Sequence, residues 1–154
     1  MDEITIVSTL ERPDLTKVAA AWHWTQWGRK NGHTLIGGEG WLYGHTARVG
    51  PPQCFVLLDG DTPAAMATFE HHDLDARMDL SPWLANLVVT PEFRRRGYAI
   101  RLVRHTEAVC RAAGIPELYL NTEGVAPLYA RLGWEEIGTE MHKGHPVIVM
   151  RRLL

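Results

Sequence analysis

Between positions 94 and 111 the chain sets Arg94, Arg95, Arg96, Arg101, Arg104 and Arg111 against a single acid, Glu107. Guanidinium groups pair with phosphate oxygens in a fixed fork, so this stretch reads as an anion site. Ahead of it runs the apolar segment Leu87-Val88-Val89, then Thr90-Pro91, and a helical pattern opens at Gly97. A strand that passes through a tight loop straight into a helix leaves the first helical N–H groups unpaired at the positive end of the dipole, where a pyrophosphate can bind. Gly97 lets the backbone approach the anion, and Ala99 keeps the helix start uncrowded. The anion cradle is therefore assigned to Arg94, Arg95, Arg96, Gly97, Tyr98 and Ala99. Two commoner nucleotide signatures do not fit. Gly38-Glu39-Gly40 is followed by Gly44, one position late for GxGxxG, and GxxxxGK[ST] does not occur.

The elements that position this cradle follow from periodicity. From Gly97 to Ala113, apolar or small residues recur at positions 99, 102, 103, 106, 110 and 113, a 3-4 spacing that predicts a helix stopped by Gly114. Strands are predicted at Ile4 to Val7, Gln53 to Leu58, Ala64 to His72, Trp83 to Val89, Leu118 to Leu120, Trp134 to Gly138 and Pro146 to Arg151. Asp59-Gly60-Asp61 and the Lys143-Gly144 segment between His142 and His145 read as hairpin turns. Further helices are expected from Pro13 to Gly28, opened by Asp14 or Thr16, and from Val125 to Leu132, stopped by Gly133. The glycine-rich stretch Gly28 to Gly50 reads as loops around at most a short helix near Trp41 to Ala47. Together these predict an α/β chain, a mixed, mostly antiparallel central sheet flanked by helices, in one domain over residues 1–154.

Composition excludes several classes. The chain is 45% hydrophobic and 22% charged, as expected for a globular core and not for a disordered or collagen-like chain. Cys54 and Cys110 stand in apolar surroundings, which predicts reduced core thiols. No apolar run reaches membrane-spanning length, and the N-terminus is acidic where a signal peptide is basic, so a cytoplasmic protein is expected. The net charge of −2 hides a polarity, since residues 1–80 hold 6 Lys/Arg against 11 Asp/Glu while residues 81–154 hold 10 against 7. An acidic first half attracts a cationic partner. Nucleic acid is disfavoured by the negative sum and by the lack of an aromatic stacking strip beside the arginines. The run His71-His72-Asp73-Leu74-Asp75 has metal-ligand chemistry, but strand neighbours point to opposite faces, and no metal is expected. Trp22, Trp24, Trp27, Trp41 and Tyr43 read either as core or as the wall of a pocket for a cationic amine.

The pattern Arg94-x-x-Gly97-x-Ala99 after an apolar strand and Pro91 resembles the acetyl-CoA signature of the GCN5-related N-acetyltransferases (GNAT). Ala126-Pro127-Leu128-Tyr129-Ala130-Arg131-Leu132-Gly133-Trp134 is similar to the second motif of that family. The resemblance implies acetyl transfer from acetyl-CoA to a primary amine by direct attack. It implies that backbone groups of Leu87, Val88 and Val89 hold the acetyl carbonyl and pantetheine arm on a splayed strand. It further implies that Arg94 to Ala99 present amides to the pyrophosphate, that Asn121 lies near the pantetheine, and that Tyr129 is the general acid beside the thioester sulfur.

The attacking amine must be neutral. An α-amine with pKa near 8 is about 10% neutral at pH 7, a lysine near 10.4 only about 0.04%. Histone-type relatives place a base where this chain has Trp83, so the base is sought elsewhere. By period-2 counting Glu70 and His72 share one strand face and are the candidates, with Asp73 and Asp75 behind them and a water chain as the alternative. The acceptor is expected to be a small amine, an antibiotic-like amine or a peptide N-terminus. A homodimer is compatible with the family's habit. A non-catalytic acyl-CoA-binding module is the alternative reading.

Overall fold

A computed structural model gives the structure, which describes residues 2–154. Strands β1 (Ile4–Ser8), β2 (Gln53–Asp59), β3 (Thr62–Glu70), β4 (Trp83–Val89), β5 (Glu117–Thr122), β6 (Glu135–His142) and β7 (His145–Leu153) form a seven-stranded sheet in the order β1-β2-β3-β4-β5-β7-β6. Only β4 and β5 run parallel, so the sheet is mixed and mostly antiparallel, as the sequence predicts. Helices α1 (Thr16–His23), α2 (Leu35–Tyr43), α3 (Tyr98–Ala112) and α4 (Ala126–Arg131) connect the strands.

The sheet is covered on both faces, and this explains why β2 reads as a continuous apolar run. Cys54, Val56, Leu58 and Met66 pack with Leu15, Ala19 and Ala20 of the first helical segment and Leu42 of α2. Their strand neighbours Phe55, Leu57, Ala65 and Ala67 meet Tyr98, Leu102, Val103 and Cys110 of α3 on the opposite face. Leu102, Val103 and Cys110 are positions of the 3-4 spacing read from the sequence, whereas Tyr98 takes the place expected of Ala99 at the start of the buried face. Each fully buried Leu or Phe stabilises the fold by roughly 1.5–3 kcal/mol relative to exposure, which fixes α3 rigidly across β2, β3 and β4.

Several expected boundaries move. The Pro13 to Gly28 segment starts as a 3-10 turn and ends as a π-helical turn at Trp24–Gly28, and neither Asp14 nor Thr16 caps it. Asp14 instead binds the Arg12 guanidinium at 2.8 Å. The second helix begins at Leu35, not Trp41, in spite of Gly37, Gly38 and Gly40. Thr34 caps it by accepting the Gly37 amide at 3.0 Å, and burial of Leu42 against α1 outweighs the low helix propensity of glycine. Strand β3 ends at Glu70 rather than His72.

Candidate active site

The bridging pair Trp83↔Tyr119 is the one place where β4 and β5 meet in register. Past it the strands diverge, and the β4 edge facing β5 at Leu87–Val89 is left without a strand partner. The cause is a bulge. Pairing with β3 shifts between Met66↔Val88 and Thr68↔Ala85, and Asn86 at this point adopts φ +53°. Asparagine tolerates this left-handed conformation better than the Leu, Val or Ala residues around it. The Asn86 side chain donates to Thr68 Oγ1 at 2.8 Å and locks the kink.

The opened strand leads into the cradle. Arg95 and Gly97 take φ +66° and +77° around the turn before α3, whose start carries no side-chain cap. The amides of Arg95, Arg96 and Gly97 make no backbone hydrogen bond among the described residues, and those of Tyr98, Ala99 and Ile100 form the first helical turn with no partner one turn back. A Cβ built on Gly97 meets nothing within 4 Å, so the space before these donors is open to a ligand. A cavity of about 370 Å³ runs along Leu87, Val88 and Val89 to Arg94, Arg95, Gly97, Tyr98 and Ala99, with Leu128 on its far side.

The arginines divide by role. Arg94 Nε donates to the Val89 carbonyl at 3.2 Å and ties the loop to the strand end. Arg96 turns to Asp59 at 3.3 Å and lies over the Phe93 ring, 5.0 Å from its centroid. The Tyr98 ring is buried with its hydroxyl donating to Asp59, so only its backbone faces the cavity entrance as a hydrogen-bond donor. Arg104, counted in the arginine run by sequence, pairs at 2.9 Å with Glu107, which is 3% exposed and also accepts from Trp134 Nε1 at 3.0 Å. Arg95 is left exposed at the cradle with no ion pair among the described residues.

Tyr129 stands on α4 with its ring buried and 6.3 Å from Trp134. Burial raises its phenol above the ordinary value. Its hydroxyl makes no hydrogen bond within the described residues, yet the only buried side-chain polar atom lacking a partner among them is Arg152 Nε, so the hydroxyl is reached by solvent. Burial also pushes the thiols up, Cys54 to about 12 and Cys110 to about 11, and both cysteines are free.

On the α1/α2 face the register aligns Glu70↔Trp83↔Tyr119, and Asn121 follows on the same face two residues along β5. Glu70 is buried, and its Oε2 lies 2.7 Å from Nε2 of His45, whose Nδ1 contacts the Trp41 carbonyl at 3.1 Å. Asn121 donates to Asp73 Oδ2 at 2.9 Å. Burial, with Glu70 and Asp75 nearby, pushes the Asp73 carboxyl up to about 7 despite the Asn121 hydrogen bond and Lys143. The rings of His23, Trp41 and His45 pack in series, tilted and then edge to face, at centroid distances of 5.0 and 4.7 Å, and Trp27 meets His23 at 5.3 Å. Burial lowers the His23 imidazole. His72, by contrast, is exposed in the loop after β3 and does not share the Glu70 face, because the alternation stops with the strand. Neither His45 nor Asn86 was singled out from the sequence; the asparagine inside the apolar run Leu84 to Val89 was the available clue to the kink. Among the described residues no metal-ligating cluster and no helix long and apolar enough to cross a membrane occurs.

A family model for the acetyltransferase (GNAT) domain matches residues 50–136. The chain belongs to the GNAT acetyltransferase family. The GNAT fold extends beyond that match: an aminoglycoside 6'-N-acetyltransferase complexed with coenzyme A superposes with TM-score 0.74 at 14% identity, over 97% of this chain and 96% of that one. The aminoglycoside 6'-acetyltransferase type Ii gives TM-score 0.74 at 17% identity over 98% and 96%. A GNAT acetyltransferase from Streptococcus pneumoniae gives 0.71 at 15% over 99% of both chains. No curated protein matches the sequence significantly.

Proposed function

We propose that this GNAT protein transfers the acetyl group of acetyl-CoA to a primary amine by direct attack. One observation carries the reading: the unpaired β4 edge at Leu87–Val89 and Arg95 and Gly97 to Ile100, which carry open amides, line a single groove. A pantetheine arm can add to the former as a short strand, and a pyrophosphate can dock on the latter. Gly97, with free space where a Cβ would stand, fits such a ligand. Arg95 adds charge at the rim.

Bound there, acetyl-CoA supplies an activated acyl carbon. The acceptor nitrogen forms the new C–N bond while the C–S bond breaks, and the sulfur takes up a proton. Tyr129 serves as its donor. A thiol near pKa 8.5 is a better acid than a phenol near 10, and burial widens that gap, so Tyr129 keeps its proton through the attack and stabilises the developing thiolate by a hydrogen bond. The buried, fully protonated cysteines support a route without an enzyme-bound acyl group. The acidic N-terminal half, and the names of two similar structures as aminoglycoside acetyltransferases, support a cationic acceptor.

Calorimetry with acetyl-CoA, followed by thiol release with ethylamine, benzylamine, spermidine, glycylglycine and kanamycin, tests the reading. Saturable binding and turnover with at least one amine are expected. Binding without any turnover would leave a non-catalytic acyl-CoA module, and absence of binding would end both readings.

A further inference from the structure

We infer that Asp73, rather than Glu70 or His72, takes the proton from the acceptor ammonium, a deepening that rests on the transferase reading above. The Trp41 carbonyl can only accept, so His45 Nδ1 carries a hydrogen. Nε2 then faces Glu70 Oε2 at 2.7 Å, a contact that holds one shared proton between two groups whose side chains are 3% and 10% exposed. The pair is therefore neutral as a unit. A second proton on Glu70 would leave a net positive charge in a buried pocket, which is costly, so this pair fixes the geometry of the β3 end and does not cycle protons. His72 is exposed beyond the strand and makes no hydrogen bond with this arrangement among the described residues.

Asp73 differs on each point. One oxygen, Oδ2, is held by Asn121, which stands two residues past the last β4–β5 bridge and so at the mouth of the gap where the thioester is to lie. The other oxygen, Oδ1, accepts no hydrogen bond from the described residues and is open to solvent. The charged groups around it are Glu70 from β3, Asp75 from its own loop and Lys143 from the β6–β7 turn, with Asn121 of β5 as the neutral partner. Burial is the main cause that brings its titration close to neutrality, where a base both accepts and releases a proton readily.

The protons then balance. Asp73 Oδ1 takes one proton from R–NH3+, the freed lone pair attacks the thioester carbon, and the electron pair of the broken C–S bond leaves on sulfur. Sulfur takes the Tyr129 proton, the second proton lost by nitrogen restores Tyr129, and Asp73 discharges to solvent after release.

The test compares wild type with Asp73→Asn, Asp73→Glu and Glu70→Gln, using acetyl-CoA and whichever panel amine turns over fastest. Expected for Asp73→Asn are a kcat lower by about 10²-fold, an unchanged KM for acetyl-CoA, loss of the acid limb of the kcat profile, and partial recovery in Asp73→Glu. A trifluoroethylamine acceptor, whose fluorines leave it mostly neutral at pH 7, is expected to bring wild type and Asp73→Asn within a few-fold of one another, which a merely structural role would not do. Melting at pH 8 no earlier than wild type shows that the variant is folded. Wild-type turnover with Asp73→Asn unimpaired, or an equal loss with both amines, overturns the assignment and leaves the transferase reading standing. Binding of acetyl-CoA with no turnover by wild type overturns both.

Discussion

The cradle and the polar cluster on the α1/α2 face are built differently. At the cradle, Arg95 to Ile100 offer consecutive backbone amides around the left-handed Arg95 and Gly97. In the polar cluster, Glu70, Asp73, His45 and Asn121 arrive from four separate elements and meet through side chains whose contacts span up to 48 positions of sequence. The first is a local device that tolerates change in its side chains. The second depends on every element around it, and a single lost partner leaves a buried group exposed to its full desolvation cost.

The largest effect should fall where partners are fewest. His45→Leu strands the Glu70 carboxylate, and urea unfolding at pH 7 should show a loss of about 3 kcal/mol, much of it recovered when Glu70→Gln is added. Additive losses would show that the two do not form a unit. Tyr129→Phe is expected to lower kcat about 10²-fold while the Kd for CoA is unchanged; a near-normal kcat removes the hydroxyl from the chemistry.

Gly97→Val strikes the cradle itself, because φ +77° is strained for valine and its side chain enters the ligand space. Calorimetry should give a Kd for CoA weaker by about tenfold or more with a small loss in Tm. Asp73→Asn probes the polar cluster through pH. The Asp73 carboxyl rises from an ordinary value near 3.8 to about 7 on folding, so its contribution is fully present below about pH 4 and is lost as pH climbs through 7. The asparagine variant should therefore match wild type at pH 4 and exceed it by about 2 kcal/mol at pH 8, a figure reduced for partial exposure. The smallest effect should be Arg95→Ala, about threefold on CoA binding and fading with salt, against almost none for Arg96→Ala, whose guanidinium is engaged with Asp59.

The same contrast governs what could be read from the amino-acid order. The α3 helix, its glycine entry and the hairpin turns depend on neighbours within a few positions, and their signals survive in the chain. The kink at Asn86 was less visible, since one polar residue in an apolar strand has many explanations until the β3 register is known. His45 was invisible: it falls in the short helix read near Trp41 to Ala47, and its significance comes from Glu70, 25 positions away. The pairing of Glu70 with His72 failed for a simple reason, because a period-2 count holds only while the chain is extended and β3 stops at Glu70. Arg104 likewise looked like part of a basic surface until the fold brought Glu107, Trp134 and the Leu132 carbonyl around it.

The lone bridge between Trp83 and Tyr119 has a mechanical meaning. Within the sheet, a four-stranded ribbon and a three-stranded ribbon share one rung there, and beyond it they are joined by side-chain packing under α3 instead of by a hydrogen-bonded ladder. A ligand that adds to the free β4 edge would supply rungs the sheet lacks, so its binding should raise the melting temperature of the whole chain.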